Sequence, residues 1–440
     1  MCYVLNFFYV LLALACSPWL LYAAVRKGKY RDGWAAKLWG SVPTRSGQSP
    51  CVWLHAVSVG EVNLLQPVLD EFAQQRPTWE CVISTTTRTG YELARKKYTA
   101  YRVFYCPLDF SWAVRTAMRR IRPSLLILAE LELWPNLVHF ARKSGAKVAI
   151  MNGRLSDNSF RGYQRIRPLV RSIFKSIDLI AVQNQQYADR FLQLGARPET
   201  VSVTGSIKFD GAFTERQNST TTRLRSLWQL GQNDVVFLAG STQHPEEQLA
   251  VDTFKTLADA HPQLRLILVP RHPERFDEVA QMLDSRGLAW QRRSKLAEAS
   301  TEQPTRILLV DVVGELGAWW GTALTGFVGG SMGSRGGQNM IEPAAFGVAV
   351  CFGPNTSNFR DVVVLLKQRQ AAVVVDDGPQ LTGFVTQCLE QPGYADQLGR
   401  AARELVLEQQ GATRRTVELL LPLVSMQDAS STSSRPFQAA

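Results

Sequence analysis

The sequence predicts an α/β protein with two Rossmann-like domains, each built on a parallel, doubly wound sheet. Short apolar runs alternate with helical patterns along most of the 440 residues, as is typical of parallel sheets. This alternation stops between residues 206 and 233, in a polar stretch that indicates a linker, and then resumes. A hydrophobic content of 45% supports two cores and excludes a chain that is disordered throughout.

The first 25 residues predict a membrane anchor. Residues 3–25 carry no charge and are long enough to span a bilayer as a helix. Basic residues follow this run from Arg26 onward and none precedes it, which is unlike a cleaved signal peptide. By the positive-inside rule, we expect one anchor in the inner membrane and the rest of the chain on its cytoplasmic side. An asparagine and a proline inside the run leave open a segment that only lies at the membrane surface.

Composition indicates an anionic partner and a reducing compartment. The net charge of +11 suits membrane headgroups or phosphate, and no zinc-finger or RNA-binding motif favours nucleic acid. The seven cysteines are scattered without a C-x-x-C pair, as expected for reduced core residues of a cytoplasmic protein.

The domain boundaries follow from the order of the apolar runs. Residues 26–50 form a basic connector, and the N-terminal domain covers residues 51–205, with predicted strands at 51–56, 80–84, 101–105, 124–129, 147–151, 178–182 and 201–204. The C-terminal domain covers residues 234–425, including closing helices, with predicted strands at 235–239, 264–269, 307–310, 323–328, 348–352 and 371–375. The Ser- and Thr-rich tail, residues 426–440, is predicted to be disordered.

Glu61 follows the first strand of the N-terminal domain, at its turn into a helix. Ligands of open α/β sheets bind at the carboxyl ends of strands, where a carboxylate can act as a general base. The alternative is that Glu61 only complements the positive end of its helix dipole.

Other polar residues of this domain also follow predicted strands. Glu130 and Glu132 lie two apart and would point the same way in an extended chain, either to hold a metal or to orient a neighbouring group. Arg154 and Lys208 end later strands and suit an anionic substrate. Residues 161–175 have the pattern of a basic amphipathic helix, whose apolar stripe belongs either at a membrane or in the core.

The C-terminal domain contains a glycine-rich loop at residues 329–338. Glycines between a strand and a helix let backbone N–H groups approach a phosphate. A dinucleotide fingerprint would need an acidic residue near the end of the next strand, where this chain has Gly353 and Pro354. Glu342, in the helix that follows, either accepts hydrogen bonds from a ribose diol or caps its helix.

Two further loops of this domain end strands on the same side of the predicted sheet. One contains Ser241 and Thr242 at a helix start, and the other contains Arg271, whose guanidinium could bind a phosphate bidentately. No pattern supports a nucleophilic hydrolase, because no histidine belongs to a triad-like or metal-binding motif.

Together these motifs resemble the 3-deoxy-D-manno-octulosonic acid (Kdo) transferases of lipopolysaccharide assembly. The matching residues run in order along the chain at 55–61, 85–87, 90–92, 132–136, 205, 208–210, 270–276, 314–316, 336–337, 339 and 342–345. The two Rossmann-like halves likewise resemble the GT-B architecture, in which such domains face each other across a cleft.

The resemblance implies a membrane-anchored, metal-independent enzyme without a cofactor. It implies transfer of Kdo from CMP-Kdo to a phosphorylated lipid A precursor, with inversion at the anomeric carbon. Glu61 would be the proton acceptor, and Glu132 and Lys208 would stabilise the transition state. The implied CMP site consists of Pro270, Arg271, Val313, Gly314, Glu315, Asn339, Met340, Ile341 and Glu342, and the further donor-loop candidates are Ser241, Thr242, Gly329 and Gly330.

The chain departs from the family pattern at three positions. Gln243 and Gln338 stand where histidine is expected in many relatives, and Gly153 replaces an expected alanine. Gln338 lies in the glycine-rich loop. Like the expected histidine, glutamine has a side chain that can form hydrogen bonds.

Two other functions fit part of the pattern. One is a different GT-B transferase that uses another nucleotide sugar on a membrane lipid. The other is a membrane-tethered nucleotide-binding protein without chemistry, against which the position of Glu61 counts.

Overall fold

A computed structural model describes residues 2–27, 32–296 and 305–432. The chain divides into two compact units. The first contains the chain up to Asp210 together with the segment that begins at Gln410, and the second is Gly211–Gln409.

The first unit contains a seven-stranded parallel sheet. Its described strands are β1 (Cys51–His55), β2 (Glu80–Thr85), β3 (Arg102–Tyr105), β4 (Leu125–Ala129), β5 (Lys147–Gly153), β6 (Leu179–Val182) and β7 (Val201–Val203), in the order β3-β2-β1-β4-β5-β6-β7. The helices of this unit are α1 (Cys2–Lys27), α2 (Trp34–Trp39), α3 (Val59–Gln75), α4 (Arg88–Lys97), α5 (Ser111–Ile121), α6 (Pro135–Lys143), α7 (Asp157–Arg165), α8 (Arg167–Lys175) and α9 (Gln185–Gln193).

The apolar sequence of β1 is explained by its burial on both faces of the sheet. Its side chains point alternately to the two faces of the sheet, with Trp53 in one core cluster and Val52 and Leu54 in the other. Because helices cover both faces, every residue of β1 is buried. Burial of each large apolar side chain contributes about 1.5–3 kcal/mol to folding.

The second unit has the same construction. Its described strands are β8 (Val235–Thr242), β9 (Leu264–Pro270), β10 (Trp290–Arg292), β11 (Ile307–Leu309), β12 (Thr325–Val328), β13 (Ala349–Phe352) and β14 (Val373–Val374), in the order β10-β11-β9-β8-β12-β13-β14. Its helices are α10 (Ser219–Leu227), α11 (Glu246–Leu257), α12 (Phe276–Ser285), α13 (Leu316–Trp320), α14 (Ile341–Ala345), α15 (Arg360–Gln368), α16 (Gly378–Glu390) and α17 (Pro392–Gln409).

Each sheet has one topological switch point, where the direction of strand succession reverses. In the first unit it lies between β1 and β4, and in the second between β8 and β12. The loops after these strands are therefore the expected ligand-binding loops of each unit. These loops carry Glu61 and Glu132 in the first unit and residues 329–330 in the second, where residues 241–242 form the end of β8 itself.

The last helix, α18 (Ala412–Thr432), belongs to the first unit, although the sequence analysis assigned residues 410–425 to the second domain. Asp210 explains its position, because its carboxylate accepts hydrogen bonds from the backbone N–H groups of Gly411 (2.6 Å) and Thr413 (2.5 Å). Apolar residues of α18 then enter the core of the first unit. No local sequence pattern indicates this return.

The polar stretch at 206–233 is more ordered than the linker predicted from sequence. A short 3-10 helix covers Ile207–Phe209 in the first unit, and α10 begins after Asn218, whose side chain caps it by accepting from Thr221 N at 2.8 Å. The predicted disordered tail also differs in part, since α18 continues to Thr432 and residues 433–440 lie outside the described residues.

The N-terminal prediction requires a correction. Residues 2–27 are helical, as α1, but none of the helices that the structure describes is long and apolar enough to cross a membrane. The predicted spanning anchor over residues 1–25 is therefore not supported. Residues 28–31 of the basic connector lie outside the described residues.

The amphipathic pattern at 161–175 forms two short helices rather than one. The break between α7 and α8 falls at Ile166, just before Pro168. Val170, Ile173 and Phe174 are buried in the core of the first unit. Of the two interpretations of this stripe, the structure thus favours the core.

We expect Asp210→Ala to loosen the start of α18. Loss of a capping carboxylate costs roughly 1 kcal/mol, so hydrogen exchange at the amides of Gly411 and Thr413 should accelerate about fivefold. Glu418→Ala, which changes an exposed residue of the same helix, is the control. Equal exchange rates in both variants would contradict the capping role.

Candidate active site

Glu61 lies in the first turn of α3 and closes a reciprocal cap with Ser58. The Ser58 hydroxyl donates to Glu61 Oε1 at 2.7 Å, and the backbone N–H of Val57 donates to Oε2 at 2.8 Å. The Glu61 backbone N–H in turn donates to the Ser58 hydroxyl at 3.4 Å. Glu61 is only 9% exposed. The side chain is therefore held in one position at the end of β1.

The environment of Glu61 favours proton uptake. Burial raises the pKa of its carboxyl, and the charge of Glu130 adds to this effect. The hydrogen bonds from Ser58 and Val57 act in the opposite direction. A carboxylate that combines a fixed position with a raised pKa is suited to act as a general base.

Glu132 is the second carboxylate at this edge of the sheet. Its Oε2 accepts a hydrogen bond from the indole N–H of Trp134 at 3.1 Å. Burial, and then the charge of Glu61, raise its pKa to about 7. Ionisation of one carboxylate therefore opposes ionisation of the other.

Glu130 lies beside two cations, in keeping with the second of its two predicted roles, the orientation of a neighbouring group. Its backbone φ is 56°, so the chain is not extended there and Glu130 and Glu132 do not follow the predicted alternation. Its carboxylate forms ion pairs with Lys208 Nζ (3.5 Å) and Arg154 Nη2 (3.6 Å). Its position directly after β4 was the available signal.

Asn152 fixes Lys208 in this group. This buried residue ends β5, and its Oδ1 accepts a hydrogen bond from Ile207 N at 3.1 Å, at the start of the short helix that carries Lys208. Lys208, Arg154 and the three carboxylates thus follow the ends of β1, β4, β5 and β7, among which only β6 intervenes in the sheet. Within the described parts of the chain, no group of three or more His, Cys, Asp or Glu side chains could hold a metal ion.

His55 belongs to the same motif as Glu61 but has a structural environment. It is fully buried, and its Nδ1 lies 2.9 Å from the Ser84 hydroxyl. Burial lowers its pKa to about 4, so the imidazole is neutral near pH 7. We assign it no proton-transfer role.

In the second unit, the glycine-rich loop is arranged around Glu246. This residue of α11 is 1% exposed, and its carboxylate accepts the N–H groups of Gln243 (2.8 Å), Gly330 (2.7 Å), Ser331 (2.9 Å) and Met332 (2.9 Å). Burial raises the pKa of Glu246, and these bonds oppose that rise.

This arrangement corrects one sequence expectation. The N–H of Gly330 is donated to Glu246, and that of Gly329 is donated to the Gly240 carbonyl at 2.8 Å. These N–H groups are therefore already used inside the protein, and a phosphate at this edge needs other donors. A side chain at position 329 would also collide with the Thr242 backbone, which lies 2.6 Å from the position of a Cβ.

Arg271 is such a donor. It is exposed, and its Nε donates to Gln338 Oε1 at 3.2 Å, while its backbone N–H donates to the Thr242 carbonyl at 3.0 Å. Pro270, immediately before it, is buried and pairs with Thr242 in the sheet. The guanidinium is thus oriented at the switch point of this unit.

The two glutamines that depart from the family pattern are neighbours. A Cβ at Gly330 would lie 3.1 Å from Gln338 Nε2 and 3.5 Å from Gln243 Nε2. Both amides therefore lie over the same glycine, whose φ is 66°. Ser241, also at this edge, has a positive φ of 55°.

Residues 339–342 follow the loop and contain a half-buried carboxylate, Glu342. Glu342 Oε1 accepts a hydrogen bond from Asn339 Nδ2 at 2.9 Å, and Asn339 Oδ1 accepts from Ile341 N at 3.1 Å. Burial raises the pKa of Glu342, whereas Asn339 and the charge of Arg271 lower it. Met340, which caps α14, is buried.

The segment at 313–315 is the most open of the predicted nucleotide-binding residues. Val313 is 75% exposed, and no atom lies within 4 Å of a Cβ placed at Gly314. Glu315 forms a bidentate ion pair with Arg293, at 2.8 and 2.7 Å. Its carboxylate is therefore engaged, and a ligand here would meet mainly backbone.

Comparison with known proteins identifies close sequence relatives. Residues 32–211 match the family described as 3-deoxy-D-manno-octulosonic-acid transferase (kdotransferase). The 3-deoxy-D-manno-octulosonic acid transferase of Haemophilus influenzae is 32% identical over 95% of this chain and 98% of its own length. That of Bordetella pertussis is 33% identical over 84% of this chain and 86% of its own length.

A solved structure agrees with the fold. The UDP-GlcNAc 2-epimerase from Neisseria meningitidis, bound to UDP-GlcNAc, has a TM-score of 0.55 at 13% identity and covers 84% of this chain and 100% of its own. This likeness, which concerns the fold alone, confirms the predicted class of two Rossmann-like domains of the GT-B type.

We expect Glu132→Gln to stabilise the protein only at high pH. The pKa of Glu132 rises on folding from 4.5 to about 7, so its contribution to stability is full below pH 4.5 and is lost as the pH rises through about 7. The neutral amide does not lose this contribution. At high pH the free energy of unfolding of the variant should therefore exceed that of the wild type by about 2 kcal/mol, after allowance for the partial exposure of the side chain.

Thermal unfolding at pH 4 and pH 8.5 tests this expectation. The midpoint of the variant should exceed that of the wild type at pH 8.5 and equal it at pH 4. Glu390→Gln, at an exposed position of α16, is the control. A variant less stable than wild type at both pH values would contradict the assignment.

We expect Glu246→Gln to release the glycine-rich loop. The amide offers one acceptor oxygen and turns an N–H₂ group towards backbone donors, and each unsatisfied group costs about 1–3 kcal/mol. Hydrogen exchange at Gly330, Ser331 and Met332 should therefore accelerate at least about tenfold. Glu274→Gln is an exposed control in the same unit. Unchanged protection of these amides would disprove the role of Glu246.

Proposed function

The chain belongs to the 3-deoxy-D-manno-octulosonic acid (Kdo) transferases, and from that premise we propose that it moves Kdo from CMP-Kdo to a phosphorylated lipid A precursor, with inversion at the anomeric carbon. As a member of this family it is a glycosyltransferase of lipopolysaccharide synthesis. The observation that carries the finer proposal is the buried, doubly hydrogen-bonded carboxylate of Glu61.

In this proposal Glu61 is the general base. It takes the proton of the acceptor hydroxyl while the hydroxyl oxygen forms a bond to the anomeric carbon of Kdo. The bond from that carbon to the phosphate oxygen breaks, and CMP leaves with the electron pair. The raised pKa of Glu61 supports this role, because it makes the carboxylate a stronger proton acceptor.

Glu132 and Lys208 supply charge stabilisation. Because burial, and then the charge of Glu61, raise the pKa of Glu132 to about 7, Glu132 holds a proton while Glu61 is ionised. Lys208 and Arg154, paired with Glu130, provide positive charge at the same edge of the first unit. No metal ion or cofactor enters this mechanism.

The second unit binds the donor nucleotide. Arg271, oriented by Gln338, holds the phosphate and stabilises the negative charge that develops as CMP leaves. Glu342 accepts hydrogen bonds from the ribose beside Asn339, which donates to its carboxylate, and the backbone at 313–315 meets the base. The exposure of Val313 and the open space at Gly314 support access there.

The reaction takes place at the cytoplasmic face of the inner membrane, where the lipid acceptor lies. Exposed apolar side chains of α1 support contact with a lipid surface. Among the described side chains of this helix they are Tyr3, Phe7, Phe8, Val10, Leu11, Leu14 and Tyr22.

We expect Glu61→Gln to lose at least about 10²-fold in kcat, because no other group at this position takes the proton. The amide keeps an acceptor for Val57 N and a donor for Ser58, so the fold of the loop is retained. The measurement is product analysis with a CMP-Kdo generating system and a tetraacylated lipid A precursor.

Two controls accompany this measurement. Asp70→Asn, at an exposed position of the same helix, should keep wild-type turnover. Calorimetry should give equal CMP affinity for Glu61→Gln and wild type, and weaker binding of UDP. Retained turnover in Glu61→Gln would remove it as the base, and a preference for UDP would point to a different nucleotide sugar.

A further inference from the structure

Helix α6 begins three residues after Glu132 but has no cap of its own. Trp134, its N-cap residue, makes no side-chain hydrogen bond to the helix, and Pro135 has no N–H group. The first backbone donors are therefore Asn136 and Leu137. An uncapped helix start leaves such donors to be satisfied by another segment.

Asp109, from the segment between β3 and α5, provides this cap. Its Oδ2 accepts from Asn136 N at 3.0 Å, and its Oδ1 accepts from Leu137 N at 2.8 Å. The Asn136 side chain returns a hydrogen bond to the Asp109 carbonyl. Asp109 is 3% exposed, and burial raises its pKa to about 6. A remote carboxylate thus fixes the start of α6.

Helix α1 makes hydrogen bonds to the same segment. The Tyr9 hydroxyl donates to Asp109 Oδ2 at 3.1 Å. The Asn6 amide exchanges two hydrogen bonds with Ser111, at 2.7 and 3.0 Å, and the Tyr9 ring packs edge-on against Phe110. Asn6 is the asparagine within the apolar run of the sequence. Its hydrogen bonds hold α1 against the start of α5.

A further hydrogen bond connects the start of α6 to Glu132. Trp134, where α6 begins, donates its indole N–H to Glu132 Oε2 at 3.1 Å. A displacement of the start of α6 would therefore move Trp134 and release Glu132. The path from Tyr9 through Asp109 and Trp134 to Glu132 consists of hydrogen bonds and one short stretch of backbone.

We propose that Tyr9 and Asp109 are positioning residues for Glu132, so that the seating of α1 on the first unit sets the geometry of the catalytic carboxylate. This inference rests on the role of Glu132 in the proposed function. Neither residue touches the reacting groups. Their effect should appear in kcat rather than in the KM for CMP-Kdo, because the donor binds to the second unit.

The test is a double-mutant cycle in the full-length protein. We expect Tyr9→Phe, which removes only the hydroxyl, and Asp109→Asn to lower kcat, the latter about tenfold, with the KM for CMP-Kdo unchanged. Tyr22→Phe, at an exposed position of the same helix, should keep the wild-type kcat. In a Glu132→Gln background, Tyr9→Phe and Asp109→Asn should cause no further loss.

The outcomes separate the two proposals. If Glu132→Gln alone retains wild-type kcat, the proposed role of Glu132 is wrong. If Glu132→Gln lowers kcat but the losses from Tyr9→Phe and Asp109→Asn add to it in full, or if both single variants keep wild-type kcat, the positioning inference is wrong. Should Asp109→Asn fail to fold, the conservative Tyr9→Phe cycle decides alone.

Discussion

Repulsion between buried carboxylates is the constraint on which the site of the first unit depends. Because β1 and β4 are neighbours in the sheet, the loops that carry Glu61 and Glu132 meet at one edge. Two like charges in a half-buried place oppose each other's ionisation. Hydrogen bonds from Ser58, Val57 and Trp134 hold the carboxylates in place, and the ion pairs of Glu130 supply positive charge beside them. The same repulsion destabilises the fold at high pH and keeps one carboxylate protonated while its neighbour is ionised.

Both units use a buried carboxylate from a distant segment to hold a functional loop. Glu246 accepts hydrogen bonds from N–H groups of the glycine-rich loop, and Asp109 accepts hydrogen bonds from those at the start of α6. In each case an ionisable side chain replaces water or ligand as the acceptor, so the loop is formed before any substrate arrives. Charge-assisted hydrogen bonds of this kind are stronger than neutral ones, which suits segments with few apolar contacts. Preorganisation of this type reduces the entropy that binding must overcome.

Local sequence patterns were sufficient to predict most of the strands and some of the candidate site residues. The apolar runs predicted the two parallel sheets because a strand covered on both faces must be apolar throughout. Glu61 was identifiable because its cap partners are three and four residues away. Strand β10 was missed because its residues Trp290, Gln291 and Arg292 are half-exposed and lack an apolar run.

The remaining features depend on contacts between distant residues. Glu246 is more than 80 residues from the loop that it caps, and Asp210 is about 200 residues from the start of α18. No local sequence pattern indicates which distant residues form such hydrogen bonds. The expectation that Gly329 and Gly330 present their N–H groups to phosphate failed for this reason, since their acceptors lie elsewhere in the chain.

The return of α18 to the first unit has a consequence for dividing the protein. Ala412, Val417, Leu420, Leu421 and Val424 contribute to the same core as β1, so the first unit is not a continuous stretch of sequence. A fragment that stops at Asp210 would expose this apolar surface to water and lose the helix that Asp210 caps. Fragment complementation, in which a peptide of the last helix is supplied in trans or fused directly after residue 210, is the route by which the first unit could be obtained alone.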